Sequence, residues 1–433
     1  MTQKPGVAVV AQAVTAAEDA APDAGPSVLH DCADAEAYVA SVCFKHGPPT
    51  LVGVELEWLL HDVARPGRPV TLASLAAALG PHTPRSLDPA SPARPLPAGS
   101  EITVEPGGQI EIASPPLPGL PDLVGATVSD AEVLHGLLAA HGLHPESRAA
   151  DASRPPVRLL DLPRYRAMEQ AFDRIGTCGR TAMCSTSAVQ VCVDAGQGAE
   201  VARRWSAVHA LGPVLLAAFA NSPTLNGRDT GWKSARWMSW LQADEARTGP
   251  PPVADVDALD PAAAWARRVM ESPVLCVRRD DGWLVPEAVT FADWVCGGLP
   301  GPPPTTADLD YHVSTLFPPV RPHGHLEVRY IDMQPGRGWA LPTAVLTALL
   351  ADGAVLDRAR EACEPARERW VSAARRGLED PVLATAAAAV FELAVAQLPA
   401  VGAPGWLVED LTTMTEHRVL RGLCPADLPE GES

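Results

Sequence analysis

Val104-Glu105-Pro106-Gly107-Gly108-Gln109-Ile110-Glu111-Ile112 is the stretch on which the reading of this chain turns. Period-2 alternation sends Glu105, Gly107, Gln109 and Glu111 to one face of a strand and Val104, Ile110 and Ile112 to the other. The Pro-Gly-Gly interruption is expected to bend or bulge that strand, a device common beside active sites. Upstream, Val52-Gly53-Val54-Glu55-Leu56-Glu57-Trp58-Leu59-Leu60 repeats the pattern, with Glu55 and Glu57 opposite Val54, Leu56 and Trp58. Downstream, Leu326-Glu327-Val328-Arg329-Tyr330-Ile331 sets Glu327 beside Arg329. A strand that turns acids to one side must pair them, solvate them or neutralise them with a cation. Three such strands predict a carboxylate-lined cleft loaded with Mg²⁺, a hard cation that takes oxygen ligands.

The 433 residues are 47% apolar, enough for a large core in one or two domains. Acids outnumber bases 52 to 34, a formal charge of −18, which argues against nucleic-acid or anionic-membrane binding. A few local arginines can still draw in a small anionic substrate. Three of the basic residues are lysines, Lys4, Lys45 and Lys233; with 45 prolines and abundant alanine, this reads as a GC-rich coding bias. Nine cysteines without C-x-x-C or zinc spacing point to reduced thiols in a cytoplasmic protein. No apolar run reads as a membrane span, and the N-terminus has no secretory pattern.

Residues 1–27 are Ala/Pro-rich and are expected to be disordered, as is the tail 426–433; 28–425 read as one catalytic domain. Helices are expected at 28–45, capped by Asp31 or Asp34, at 121–142, at 200–221, and then at 341–351, 353–376, 382–398 and 407–421. Ala188 to Asp194 reads as a further strand, and Gly80 to Ser100 as a long Pro-laden connection, either a covering loop or a mobile one. Strands first and helices accumulating from about 341, without βα alternation, predict an α+β fold.

Glu55, Glu57, Glu105, Glu111 and Glu327 are the candidate metal ligands. Thr186 and Gln190 are either part of a site or a satisfied polar pair within a sheet. Thr230-Gly231-Trp232-Lys233-Ser234-Ala235-Arg236-Trp237 offers Lys233 and Arg236 as carboxylate or phosphate clamps, or as surface cations over aromatic walls. Arg329, beside the acids, suits a transferring phosphoryl group, and Arg321 is a second candidate. Gly-x4-Gly-Lys-Ser/Thr and Gly-x-Gly-x-x-Gly loops are missing, so bound ATP would be held through metals and arginines.

These blocks, with Ala220-Asn221-Ser222-Pro223 and Phe317-Pro318-Pro319-Val320-Arg321, resemble the plant- and bacterial-type glutamate–cysteine ligases, and most of all their ergothioneine-pathway branch in high-GC bacteria. The resemblance implies an antiparallel sheet funnel of the glutamine synthetase type, with flanking helices and a helical C-terminal part. It implies ATP entering from one end and L-glutamate from the other, a γ-glutamyl phosphate intermediate, and L-cysteine as acceptor. By the same resemblance Glu55, Glu57, Glu105, Glu111 and Glu327 hold Mg²⁺, while Glu327 and Arg329 serve catalysis. Thr186, Gln190 and Arg236 bind glutamate, and Lys233, Arg321 and Arg329 bind ATP phosphates. The run Tyr330-Ile331-Asp332-Met333-Gln334 departs from the plant pattern and leaves the acceptor open. A different amine acceptor and an inactive binding relative remain as alternatives, and the oligomeric state stays open between monomer and homodimer.

Overall fold

Leu51-Val52-Gly53-Val54-Glu55-Leu56-Glu57-Trp58 forms β1, the central strand of an antiparallel sheet in a computed structural model that describes residues 25–429 apart from Pro66, Asp280 and Asp281. Across the sheet the order is β10 (Val320–Pro322), β11 (Leu326–Asp332), β7 (Ala188–Val193), β1, β4 (Ile110–Ala113), β3 (Glu101–Val104). β5 (Leu117–Pro118) pairs with the start of β1. Two small ladders join β2 (Leu60–Asp62) to β6 (Leu143–Pro145) and β8 (Thr224–Leu225) to β9 (Arg228–Asp229).

The register separates two chemistries. Leu56 lies between Ile112 and Val189, and Val54 beside Val191, so one face is apolar. Glu55 lies opposite Gln190, Glu57 opposite Glu111, and Glu327 opposite Cys192, so the other face carries the acids. Helices Leu120–Ala139, Gly212–Ala218 and Ala340–Leu350 pack on the sheet, and their buried residues join its apolar side chains in one cluster. Removing that surface from water is the main stabilising term.

The Val104–Ile112 stretch is not one bent strand. It is a hairpin in which Thr103 pairs with Glu111 and Val104 with Ile110. Pro106 presets the turn, the Gly108 N–H donates to the Glu105 carbonyl at 2.9 Å, and Gly108 sits at φ +86°. Pro at the second position followed by a left-handed glycine closes a hairpin rather than bulging a strand. Alternation of side chains survives such a reversal, which is why the stretch read as continuous.

The helix expected at 200–221 is two, Ala199–Ala210 and Gly212–Ala218, broken where Pro213 has no N–H to continue the ladder. Likewise 353–376 divides into Gly353–Cys363 and Trp370–Arg376 around Pro365. Asp31 caps Cys32–Cys43, its carboxylate accepting the Asp34 N–H at 2.8 Å. Pro381–Gln397 belongs to a stretch, Pro381–Val401, that is long and apolar enough to cross a membrane by length and composition, a test that the core helix of a globular fold also passes. Its Leu383, Ala387, Val390, Phe391 and Ala394 are nonetheless buried in the core.

The N-terminal stretch 1–24 and residues 430–433 lie outside the described residues. The tail expected to be loose from 426 is docked as far as Leu428. Pro425–Asp427 forms a 3₁₀ turn, and Arg148 donates to the Pro425 and Leu428 carbonyls at 2.9 and 2.7 Å.

Candidate active site

The acids come together because three strands, β1, β4 and β11, and the hairpin turn deliver them to the same face. On β1, Glu55 is 5% exposed and its Oε1 has no hydrogen-bond partner. Burial, then the Glu327 charge, pushes its carboxyl up to about 8. Glu57 accepts from Gln190 Nε2 at 2.9 Å, and burial, then Glu105, pushes it up to about 7. On β4, Glu111 accepts from Thr103 Oγ1 at 2.5 Å and is raised well above the ordinary range by burial and then by Glu55. Glu105, in the hairpin turn, is raised by burial too. Desolvation therefore acts on all four, and repulsion between carboxylates on Glu55, Glu57 and Glu111, the situation a bound cation relieves.

Glu327 is the exception. Burial alone would raise it, but Arg321 and then Arg329 hold it down at about 2. Arg321 grips both oxygens, Nε to Oε2 at 2.7 Å and Nη2 to Oε1 at 2.9 Å, and Arg329 Nη1 also donates to Oε1. This bears on Glu327, expected to hold metal, and on Arg321, expected to meet ATP. The Glu327 carboxylate is occupied by arginines, and the Arg321 fork expected to meet ATP is committed to it.

Arg329 bridges the cluster, donating from Nη1 to Glu327 and to Gln190 Oε1. A bulge places it there. Val328 pairs with Val191 and Ile331 with Val189, so Arg329 and Tyr330 together oppose Gln190. The extra residue inverts the alternation beyond it. Ile331 turns to the core, and Asp332 joins the polar face, fully buried. Sequence reasoning missed Asp332 because period 2 had placed Ile331 there.

Arg236 lies in the helix Ala235–Leu241, 3% exposed. Its Nη2 donates to the Arg329 carbonyl at 2.8 Å, while Nε and Nη1 have no partner. Thr186 is also buried, but its hydroxyl donates to the Ala182 carbonyl at 2.7 Å, and its own carbonyl accepts from Gln109 Nε2 at 3.0 Å. Gln109 thus pins the hairpin turn to the segment before β7. Lys233 is not brought to the acids. Its ammonium pairs with Asp427 and, at 2.9 Å, with Glu379, so the clamp expected from its local sequence is a tie to the C-terminal layer.

A cleft open to solvent adjoins the cluster at the Glu55 end, lined among others by Gly53, Ser114, Cys192, Asp194 and His325. Cys192 shares the polar face with Glu55. Among the described residues no three His, Cys, Asp or Glu side chains converge closely enough to hold a metal ion as they stand.

The sequence profile of glutamate-cysteine ligase family 2 (GCS2) matches residues 51–420. Glutamate–cysteine ligase EgtA of Mycolicibacterium smegmatis is 40% identical over 412 residues, 94% of this chain and 93% of that protein. The EgtA of Mycobacterium tuberculosis is 39% identical over 97% of this chain and 94% of that protein. A chloroplastic glutamate–cysteine ligase of Arabidopsis thaliana is 29% identical over 66% of this chain and 54% of its own length. Among solved structures, the glutamate–cysteine ligase of Francisella tularensis, crystallised with AMP, superposes with a TM-score of 0.52 at 13% identity. That alignment covers 88% of this chain and 84% of that one, a likeness of fold. The chain belongs to glutamate-cysteine ligase family 2.

Proposed function

We propose that this chain joins the γ-carboxylate of L-glutamate to the amine of L-cysteine at the expense of ATP, giving γ-glutamylcysteine, ADP and phosphate. The observation that carries the reading is the convergence of Arg329 with Glu55, Glu57 and Glu327 on one sheet face in a chain of this family. Its EgtA-named relatives favour a product destined for ergothioneine synthesis. Nine free thiols go with a cytoplasmic setting, where ATP is available.

The two substrates meet from opposite ends. The cleft beside Gly53 and Cys192 admits the nucleotide, with its phosphates directed at Glu55. Beyond Glu57 lies Arg236, whose unpartnered nitrogens suit the α-carboxylate of glutamate. Between them the glutamate γ-carboxylate attacks the γ-phosphorus and ADP leaves. Arg329, oriented by Glu327 and Gln190, stabilises charge on the phosphoryl oxygens in flight. The cysteine amine then attacks the γ-glutamyl carbonyl, phosphate departs, and the amine proton is lost.

Glu55, Glu57, Glu105 and Glu111 are the residues that would hold Mg²⁺. The orphaned Glu55 Oε1 and the raised carboxyls of all four fit a hard cation. A closed cage of carboxylates is not required, because Mg²⁺ takes one or two carboxylates and completes its shell with water and phosphate. When bound, it would neutralise charge on the ATP phosphates. The role of Glu327 in this scheme is to orient Arg321 and Arg329.

ADP release by the purified chain with Mg²⁺, ATP and L-glutamate tests the reading, with L-cysteine compared against other amines and no acceptor. Release that needs both amino acids, with γ-glutamylcysteine found by mass spectrometry, is expected. Turnover with another amine in place of cysteine overturns the acceptor, and no turnover with any amine overturns the reaction.

A further inference from the structure

Asp332 and Arg236 stand in an unusual relation for a buried ion pair. Both are almost wholly shielded from water, yet the Nη1–Oδ1 distance is 3.6 Å, outside hydrogen-bond range. Asp332 takes its hydrogen bonds elsewhere. Oδ2 accepts from the Asn221 N–H at 2.8 Å and from Ser222 Oγ at 2.7 Å, and Oδ1 accepts from Ser234 Oγ at 2.8 Å. Both hydroxyl oxygens already accept a backbone N–H, Ser222 from Arg236 and Ser234 from Trp237, so their protons are free to point at Asp332. The carboxylate takes three hydrogen bonds, none of them from the guanidinium.

The consequence falls on Arg236. Asp332 balances its charge at close range, which offsets part of the cost of burying it. It does so while leaving Nε and Nη1 without a hydrogen bond. A guanidinium with two buried, unused nitrogens is costly unless a ligand fills them. Its remaining anchor, Nη2 to the Arg329 carbonyl, ties it to the bulge that brings Arg329 to the phosphoryl site.

We infer that Asp332, held by Ser222 and Ser234, is a positioning residue that keeps Arg236 charged, fixed and unoccupied, so that it can grip the α-carboxylate of the amino-acid substrate. The inference rests on the reading of this site given under Proposed function. Asp332 itself touches no substrate; it acts through Arg236. An acid bonded directly to the fork would fix Arg236 equally well and would compete with the substrate for the same donors.

The experiment is steady-state kinetics on the full chain, comparing wild type with Asp332→Asn and Ser222→Ala. The KM for L-glutamate, the KM for ATP and kcat are read, along with inhibition by 4-aminobutyrate, which is glutamate without its α-carboxylate. Asp332→Asn is expected to raise the glutamate KM at least about tenfold, with kcat and the ATP KM within about twofold and 4-aminobutyrate inhibition unchanged. Ser222→Ala is expected to move the glutamate KM the same way by about three- to tenfold, and it carries the test if Asp332→Asn does not fold. A folded variant with an unchanged glutamate KM overturns the inference. So does an equal weakening of glutamate and 4-aminobutyrate, the mark of a purely structural role. A wild-type protein that does not use glutamate at all instead overturns the functional reading on which the inference stands.

Discussion

Arg321 and Glu327 form a buried two-point ion pair, Nε to Oε2 at 2.7 Å and Nη2 to Oε1 at 2.9 Å, across the β10–β11 ladder. The pair leaves the second arginine, Arg329, with a fixed acceptor and a fixed direction. Two guanidinium groups on one carboxylate hold it ionised where four neighbouring acids are pushed toward protonation.

Removing one member of this arrangement strands a charge away from water. Arg321→Leu is expected to destabilise the fold by about 3–5 kcal/mol, the usual cost of breaking a buried pair. It should also lower kcat, because Glu327 loses the partner that orients it. Urea unfolding followed by tryptophan fluorescence measures the first effect. A shift below about 1 kcal/mol would show that Arg329 alone satisfies Glu327.

The raised acids give a pH dependence of definite sign. Glu55 sits at about 8 and Glu57 at about 7 in the folded chain, against an ordinary value of 4.5. The folded state therefore keeps protons that the unfolded state releases, and stability falls as pH rises from 4.5 through 8. The metal-free protein is expected to lose Tm between about pH 6 and pH 8.5, and Mg²⁺ to restore it at the upper end. Glu55→Gln should flatten the profile while abolishing turnover. A Tm that rises over the same window, or is indifferent to Mg²⁺, contradicts the assignment of these acids to a cation.

Much of the site could be read from the sequence, because β alternation puts Glu55 with Glu57 and Glu327 with Arg329 wherever those strands lie. What failed was long-range or depended on parity. The Pro106-Gly107-Gly108 run was itself a turn signal, but the residues on either side alternate as one strand does. The bulge at Arg329 and Tyr330 reverses alternation with no marker in composition, so Asp332 was overlooked. Lys233 sits in a segment that looks built to bind anions, yet its partner Asp427 is 194 residues away. No local pattern reports such a partner.

Lys233 supplies a direct check on that correction. Its ammonium, partly exposed, is tied to Asp427 and Glu379. Lys233→Met is expected to leave kcat and the KM for ATP within about twofold, with a stability loss of about 1 kcal/mol or less. A tenfold rise in the ATP KM would return this lysine to the phosphate site.

Gly107 tests whether the hairpin turn positions Glu105. A Cβ built there would lie 2.1 Å from the Cys184 carbonyl oxygen and 2.7 Å from its carbon, both backbone atoms that cannot rotate aside. Gly107→Ala must therefore push the turn off the segment before β7, where Gln109 anchors it. The expected result is destabilisation of about 1–3 kcal/mol, with kcat reduced at least about tenfold as Glu105 shifts. Gly53→Ala is the matching control. Its methyl would meet Cys192 Cβ and Ser114 Oγ at 3.6 Å, ordinary contact, so the fold should be unchanged. Because Gly53 lines the open cleft, that methyl should instead raise the KM for ATP and leave the glutamate KM alone. If both variants lost stability equally and neither altered a KM, the turn and the cleft would be packing features rather than parts of the site.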